Sequence, residues 1–80
     1  MSHTPHELTA EFPDDTEKLH RLKISDAHFA RIAEEYHEVN RAVHRAESNV
    51  EPMTEATETE LRRKRMALKD EIARMLRAAP

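Results

Sequence analysis

Two short stretches of the sequence each place a glutamate and a histidine three residues apart. They are Glu17 with His20 in EKLH, and Glu34 with His37 in EEYH. On a helix this spacing puts both side chains on one face, and carboxylate-bridged two-metal sites in four-helix bundles use the same pair. Such a site needs ligands that converge inside a bundle. Whether the sequence encodes one depends on the direction in which its helices turn these side chains.

The run RRKR at residues 62–65 is the other candidate for chemistry, because lysine and arginine neutralise nucleic-acid phosphates. Four consecutive helical residues cover more than one full turn, so they do not form a single patch. Ion pairs between helices, with Arg62 near Glu47 and Lys64 near Glu35, are the favoured interpretation. Nucleic-acid binding is the alternative, and its candidate contacts are Arg62, Arg63 and Lys64.

The composition excludes several functional classes. The 80 residues include no cysteine, glycine or tryptophan, and 36% of them are charged. There is thus no thiolate ligand, no thiol nucleophile and no glycine-rich phosphate loop. The N-terminus lacks the pattern of a signal peptide, and no apolar run could span a membrane. We therefore expect a soluble, cytoplasmic, all-helical protein that is not an enzyme and binds no cofactor and no small-molecule substrate.

Charge is distributed unevenly along the chain. Residues 1–17 include five acidic residues and no lysine or arginine, whereas residues 62–77 carry seven basic residues against two acidic ones. The acidic start and the basic end could attract each other, or the basic helix could meet a partner.

Two apolar stripes predict the architecture. The first alternates steps of three and four residues, as in a coiled coil, and comprises Phe29, Ile32, Tyr36, Val39, Val43, Ala46 and Val50. The second has the same spacing and comprises Leu61, Arg65, Leu68, Ile72 and Met75. Between them, Asn49 and Pro52 mark a turn. The stripes predict long helices over residues 25–48 and 54–78.

A short turn forces these helices to pack antiparallel, and one register pairs every layer of the two stripes. It joins Phe29 with Met75, Ile32 with Ile72, Tyr36 with Leu68, Val39 with Arg65 and Val43 with Leu61. In this register the stem of Arg65 covers Val39 and its guanidinium reaches solvent. Glu34 and His37 then face away from the seam. They are expected to be solvated, unless another chain covers His37 and His44 and a metal binds between the chains.

The N-terminal part is predicted as a flexible acidic tail over residues 1–13 and a short helix over 14–24. Ser25 is the expected N-cap of the next helix, with Ile24 and Phe29 as its hydrophobic staple. Thr54 or Thr57 is expected to cap the last helix.

Some apolar side chains remain outside the seam. In one interpretation the short first helix folds back onto Leu76, and in the other these residues form a self-association or partner face; both can hold. The seam alone buries little apolar surface for a chain of this length, which favours a homodimer that forms a four-helix bundle. The candidate face comprises Leu19, Leu22, Met66, Ala73 and Leu76.

Three sequence pieces resemble the YdcH-like family of small bacterial proteins: SDAHF at residues 25–29, the segment 38–44, and LKDEI at residues 68–72. The similarity covers residues 18–78, and the acidic N-terminus departs from the shortest family pattern. The resemblance implies a short coiled-coil-like hairpin of uncharacterised function, and it brings no catalytic or cofactor residues. The sequence thus predicts a non-enzymatic module for self-association or protein binding, with a nucleic-acid-associated regulator as the alternative.

Overall fold

The computed structural model describes residues 5–48 and 52–80, and within these ranges the chain is helical with no strand. The predicted turn residue Asn49 and the last stripe residue Val50 lie outside them. A 3-10 turn, Pro13–Asp15, precedes the second of the helices, which are α1 (Leu8–Glu11), α2 (Thr16–Ser25), α3 (Ala27–Glu47) and α4 (Glu55–Ala78). Among the described residues, no helix has the length and apolar character needed to cross a bilayer.

Helices α3 and α4 pack along each other and confirm the predicted helical hairpin. The stripe of α3 is buried except for Ile32, which is half-buried. The buried set of α3 is wider than predicted because it includes Ala33 and Asn40. In α4 only Ile72 and Leu76 are buried, whereas Leu61, Arg65, Leu68 and Met75 are half-buried. The apolar side chains of α3 are therefore more fully buried than those of α4.

The N-terminal region differs from the predicted flexible tail, because residues 5–13 lie against the hairpin. Leu8 is 2% exposed and belongs to the main apolar cluster, and Phe12 packs against that cluster. These two side chains are four residues apart, so one turn of helix presents both to the same surface. Pro13 is the first residue of a 3-10 turn, so regular structure continues through the predicted end of the tail.

Helix α2 folds back onto the C-terminal end of α4. Leu19, 2% exposed, shares the apolar cluster with Leu76, which is 3% exposed. The ammonium group of Lys18 donates to the carbonyl oxygens of Leu76 (3.1 Å) and Ala79 (3.4 Å). A cation at this place suits carbonyls that lack a partner within the helix.

The caps differ from the sequence prediction at one of the two helix starts. Asp26, not Ser25, caps α3: its Oδ1 accepts hydrogen bonds from the backbone N–H groups of His28 (3.0 Å) and Phe29 (3.1 Å). Ser25 ends α2, and Ile24 is 80% exposed, so the predicted staple does not form.

The start of α4 agrees with one of the two predicted caps. Thr54 Oγ1 accepts from the backbone N–H of Thr57 at 3.2 Å.

Candidate functional site

The N-terminal segment, residues 5–13, lies on one side of the hairpin through its backbone carbonyl groups. The hydroxyl of Tyr36 donates to the carbonyl oxygen of His6 at 2.6 Å, and Asn40 Nδ2 donates to that of Pro5 at 2.8 Å. His6 has φ 62°, in the left-handed region, where a non-glycine residue is strained by about 1–2 kcal/mol. The two hydrogen bonds hold this strained turn in place.

Asn40 connects the N-terminal segment to both long helices. It is 1% exposed, and its Oδ1 accepts a hydrogen bond from Arg65 Nη1 at 3.0 Å. Arg65 is half-buried, and its guanidinium donates to this amide, a partner that the sequence did not predict. A buried amide needs hydrogen-bond partners, and Arg65 on one side and Pro5 on the other supply them.

Charged side chains complete the contact between the acidic segment and the hairpin. Glu11 Oε1 lies 2.7 Å from Lys69 Nζ, and Glu7 Oε2 lies 3.0 Å from His37 Nδ1. The hydrogen bond from Lys69 is the main reason why the pKa of Glu11 is lowered from its ordinary value. Lys69 also stands 6.0 Å from the centre of the Phe12 ring, within the range of a cation–π contact. The acidic start and the basic helix do attract each other.

Tyr36 is the aromatic residue at the centre of this contact. It is 1% exposed, and its burial, reinforced by the negative charge of Glu11, raises the pKa of its hydroxyl to about 12. The hydroxyl therefore remains a hydrogen-bond donor over the whole physiological pH range.

The two Glu-x-x-His pairs are not brought together. Glu34, Glu17 and His20 are exposed, whereas His37 is half-buried beneath Glu7 of the same chain. The prediction that His37 faces solvent is wrong, because the N-terminal segment covers that side of α3. Within residues 5–48 and 52–80, no group of three or more His, Asp or Glu side chains is arranged to hold a metal ion.

The basic run does not form one patch. Arg62 Nη2 pairs with Glu47 on α3 (2.9 Å), as predicted, and with Glu58 one turn away (2.7 Å). The hydrogen bond to Glu47 is the main reason why the pKa of Arg62 is raised. Arg63 is exposed beside Glu60, and Lys64 is exposed.

The five residues of the predicted partner face have different fates. Leu19 and Leu76 are buried within the chain, Leu22 and Ala73 are half-buried, and Met66 is 66% exposed. Most of this face is therefore used inside the molecule, by the fold-back of α2 that was one of the two interpretations.

The hairpin has two flanks that differ in how they are covered. Helical geometry turns His37 and Asn40 to one side of Tyr36, and Ile32 and Val39 to the other. We call the side under the N-terminal segment the covered flank; it comprises Tyr36, His37, Asn40, Arg65 and Lys69. We call the opposite side the open flank; it comprises Ile32, Val39, Leu61, Leu68 and Met75. Four of the five apolar side chains on the open flank, all except Val39, are only half-buried.

Sequence reasoning missed Asn40 and Leu8, and it did not name the partners of Glu7 and Glu11. Asn40 is a polar residue beside an apolar stripe and carries no signal of burial in the pattern. The spacing of Leu8 and Phe12, and the charge asymmetry along the chain, were the signals for the segment.

These features define a class: a two-helix hairpin with a helical N-terminal cover. Residues 29–76 match the model of a family described as protein of unknown function (DUF465), and the chain belongs to that family. The match runs from Phe29 at the start of α3 to Leu76 near the end of α4, so it comprises both flanks but neither the N-terminal segment nor α2. Searches of curated proteins and of solved structures gave no match.

Proposed function

We propose that this protein is a non-enzymatic interaction module that self-associates through the open flank of its hairpin. One observation carries the proposal: among residues 5–48 and 52–80, the chain covers the apolar seam on one flank only. On the other flank Ile32, Leu61, Leu68 and Met75 keep part of their surface in water. An apolar strip of this kind along a hairpin is typical of a helix-packing surface.

A second copy is the simplest partner for this flank. Two hairpins placed flank to flank would form a four-helix bundle, with Leu68 and Met75 of each copy in the shared core. Each large apolar side chain that moves from half-buried to buried would contribute about 1 kcal/mol. The charged residues at the border, Lys64 and Glu35 among them, are of opposite sign and could pair across such an interface.

Sedimentation velocity over a wide concentration range tests the proposal. The wild-type chain is expected to sediment as a dimer, and Leu68→Lys to shift it to a monomer that keeps its helical circular dichroism, because a lysine stem can lie on the apolar strip while its charge reaches water. Met66→Lys makes the same change of residue type on the same helix, at an exposed position outside the open flank. It is expected to leave the dimer intact.

The other outcomes are equally informative. If Met66→Lys dissociates the dimer and Leu68→Lys does not, the interface lies on the face predicted from the sequence, which includes Met66. A wild-type protein that stays monomeric at every concentration would contradict self-association.

Further features of the proposal rest on the sequence pattern. They are a cytoplasmic location, the absence of catalysis, and the resemblance to the YdcH-like family. Nucleic-acid binding has less support, because Arg62 is already paired with two carboxylates. Retention of labelled DNA at low salt, lost on replacing Arg62, Arg63 and Lys64 by alanine, would revive it.

A further inference from the structure

We propose that the covered flank is a binding site for a short acidic amphipathic helix, which the N-terminal segment occupies in cis and which a partner segment of the same chemistry can take. The inference shares with the proposed function the premise that the hairpin binds proteins. It concerns the opposite flank, so either proposal can fail alone.

The first argument is that the site and its occupant are separable. All the residues of the covered flank lie within the region that matches the family, whereas the N-terminal segment lies before it. Helix α2 has its own anchors, Leu19 in the apolar cluster and Lys18 on the end of α4. The 3-10 turn Pro13–Asp15 connects the segment to α2, and α1 also contacts α2. The segment can therefore leave while the rest of the fold stays.

The second argument is that the contacts form a recognition pattern rather than general burial. Lys69 contacts the carboxylate of Glu11, and His37 contacts that of Glu7, which lies four residues earlier in the segment. Leu8, between the two glutamates in the sequence, enters the apolar cluster. Tyr36 and Asn40 donate to main-chain carbonyl groups, which any sequence provides. The flank thus selects a turn of helix with a leucine and one acidic residue on each side of it in the sequence. A turn with free carbonyl groups precedes this helical turn.

The third argument is that the helix of the cis occupant is short and the segment includes strain. Its helix α1 has four residues, and His6 lies in the left-handed region. Both features reduce the stability of the closed state. A covalently linked segment still competes at a high effective concentration, of the order of mM. An external segment should therefore bind weakly to the closed chain and more tightly once the cis segment is released.

The test uses the full-length chain and a fluorescent peptide, PHELTAEFPDD, which copies residues 5–15. Leu8→Asp in the full chain places a carboxylate at a buried position and should release the cis segment. Thr9→Asp is the matched control, because it makes the same addition of charge at the next residue, which is exposed. By fluorescence anisotropy, the peptide should bind Leu8→Asp at least about tenfold more tightly than wild type or Thr9→Asp.

Two further arms exclude simpler explanations. A peptide that itself carries Leu8→Asp should not bind any of the three proteins. Higher salt should weaken binding of the unmodified peptide, because its Glu11 carboxylate meets the ammonium group of Lys69. If Leu8→Asp loses its helical circular dichroism, the chain with both Glu7→Gln and Glu11→Gln replaces it, because that change keeps Leu8 and removes only the charged contacts.

The inference is overturned if the peptide binds none of the folded proteins, or binds wild type and the released variant equally. The outcome is independent of the result for Leu68→Lys, so it distinguishes failure of this inference from failure of the proposed function.

Discussion

Asn40 is the residue at which the three parts of the structure meet. Its amide donates to Pro5 and accepts from Arg65, so it joins the N-terminal segment, α3 and α4. We expect Asn40→Ala to lower the free energy of unfolding by about 2–3 kcal/mol, since it removes two hydrogen bonds, one of them to a charged group, and leaves Arg65 without that acceptor. Urea unfolding followed by circular dichroism measures the change.

The control for Asn40 is Ser48→Ala at the end of α3, where an exposed hydroxyl donates to the carbonyl of His44. It should change the free energy of unfolding by less than about 0.5 kcal/mol. Similar losses in the two variants would show that the Asn40 bridge contributes no more than a surface hydrogen bond.

Tyr36 offers a second prediction at the residue scale, because it is the chain's one tyrosine and its ultraviolet signal is unambiguous. Burial raises its pKa to about 12 from an ordinary value of 10.0. The unfolded chain ionises first, so this contribution to stability is complete below pH 10 and is lost as the pH rises toward 12. A spectrophotometric titration of the folded protein should show the high midpoint, and Leu8→Asp should move it toward the ordinary value. Equal, ordinary midpoints in both proteins would contradict the buried position of the hydroxyl.

At the scale of elements, the two long helices and a short helix close to α2 were predicted from the sequence, and α1 was not. The alternating spacing from Phe29 to Ala46 identifies the buried face of α3 because a coiled-coil seam repeats over several turns. Helix α1 has four residues, too few for a period to be visible, and its burial depends on a distant surface built by Tyr36 and Asn40. The predicted N-cap of α3 is one residue too early, because Ser25 and Asp26 are both good N-caps. The local pattern alone does not decide between them.

That neighbouring pair gives a prediction about the junction of α2 and α3. Asp26 accepts two backbone hydrogen bonds at the start of α3, whereas the Ser25 hydroxyl donates to the carbonyl of Arg21 within α2. We expect Asp26→Ala to cost about 1 kcal/mol and Ser25→Ala to cost less than about 0.5 kcal/mol. Thermal or urea unfolding of the two variants compares them directly. A larger loss for Ser25→Ala would restore the cap that the sequence suggested.

At the scale of the whole molecule, the chain is a hairpin with one flank covered and one open. The covered flank combines a buried leucine with charges of opposite sign, and the open flank is a strip of half-buried apolar side chains. We propose different partners for the two flanks, an acidic helix on one and a similar hairpin on the other. A single small chain could therefore respond to one partner through the N-terminal segment while it associates through the open flank.

Acid should separate these two parts of the molecule. The pKa of Glu11 is lowered from 4.5, chiefly by Lys69, so its contribution to docking is present above pH 4.5 and is lost as the pH falls through the lower value in the folded protein. The apolar seam of the hairpin, in contrast, carries no carboxylate. We expect Tyr36 fluorescence, which reports release of the segment, to change at a higher pH than the helical circular dichroism. In Glu11→Gln the segment should be held more weakly at neutral pH, and its release should depend less on pH. Coincident changes of both signals, at the same pH in wild type and Glu11→Gln, would mean that the segment and the hairpin unfold as one unit.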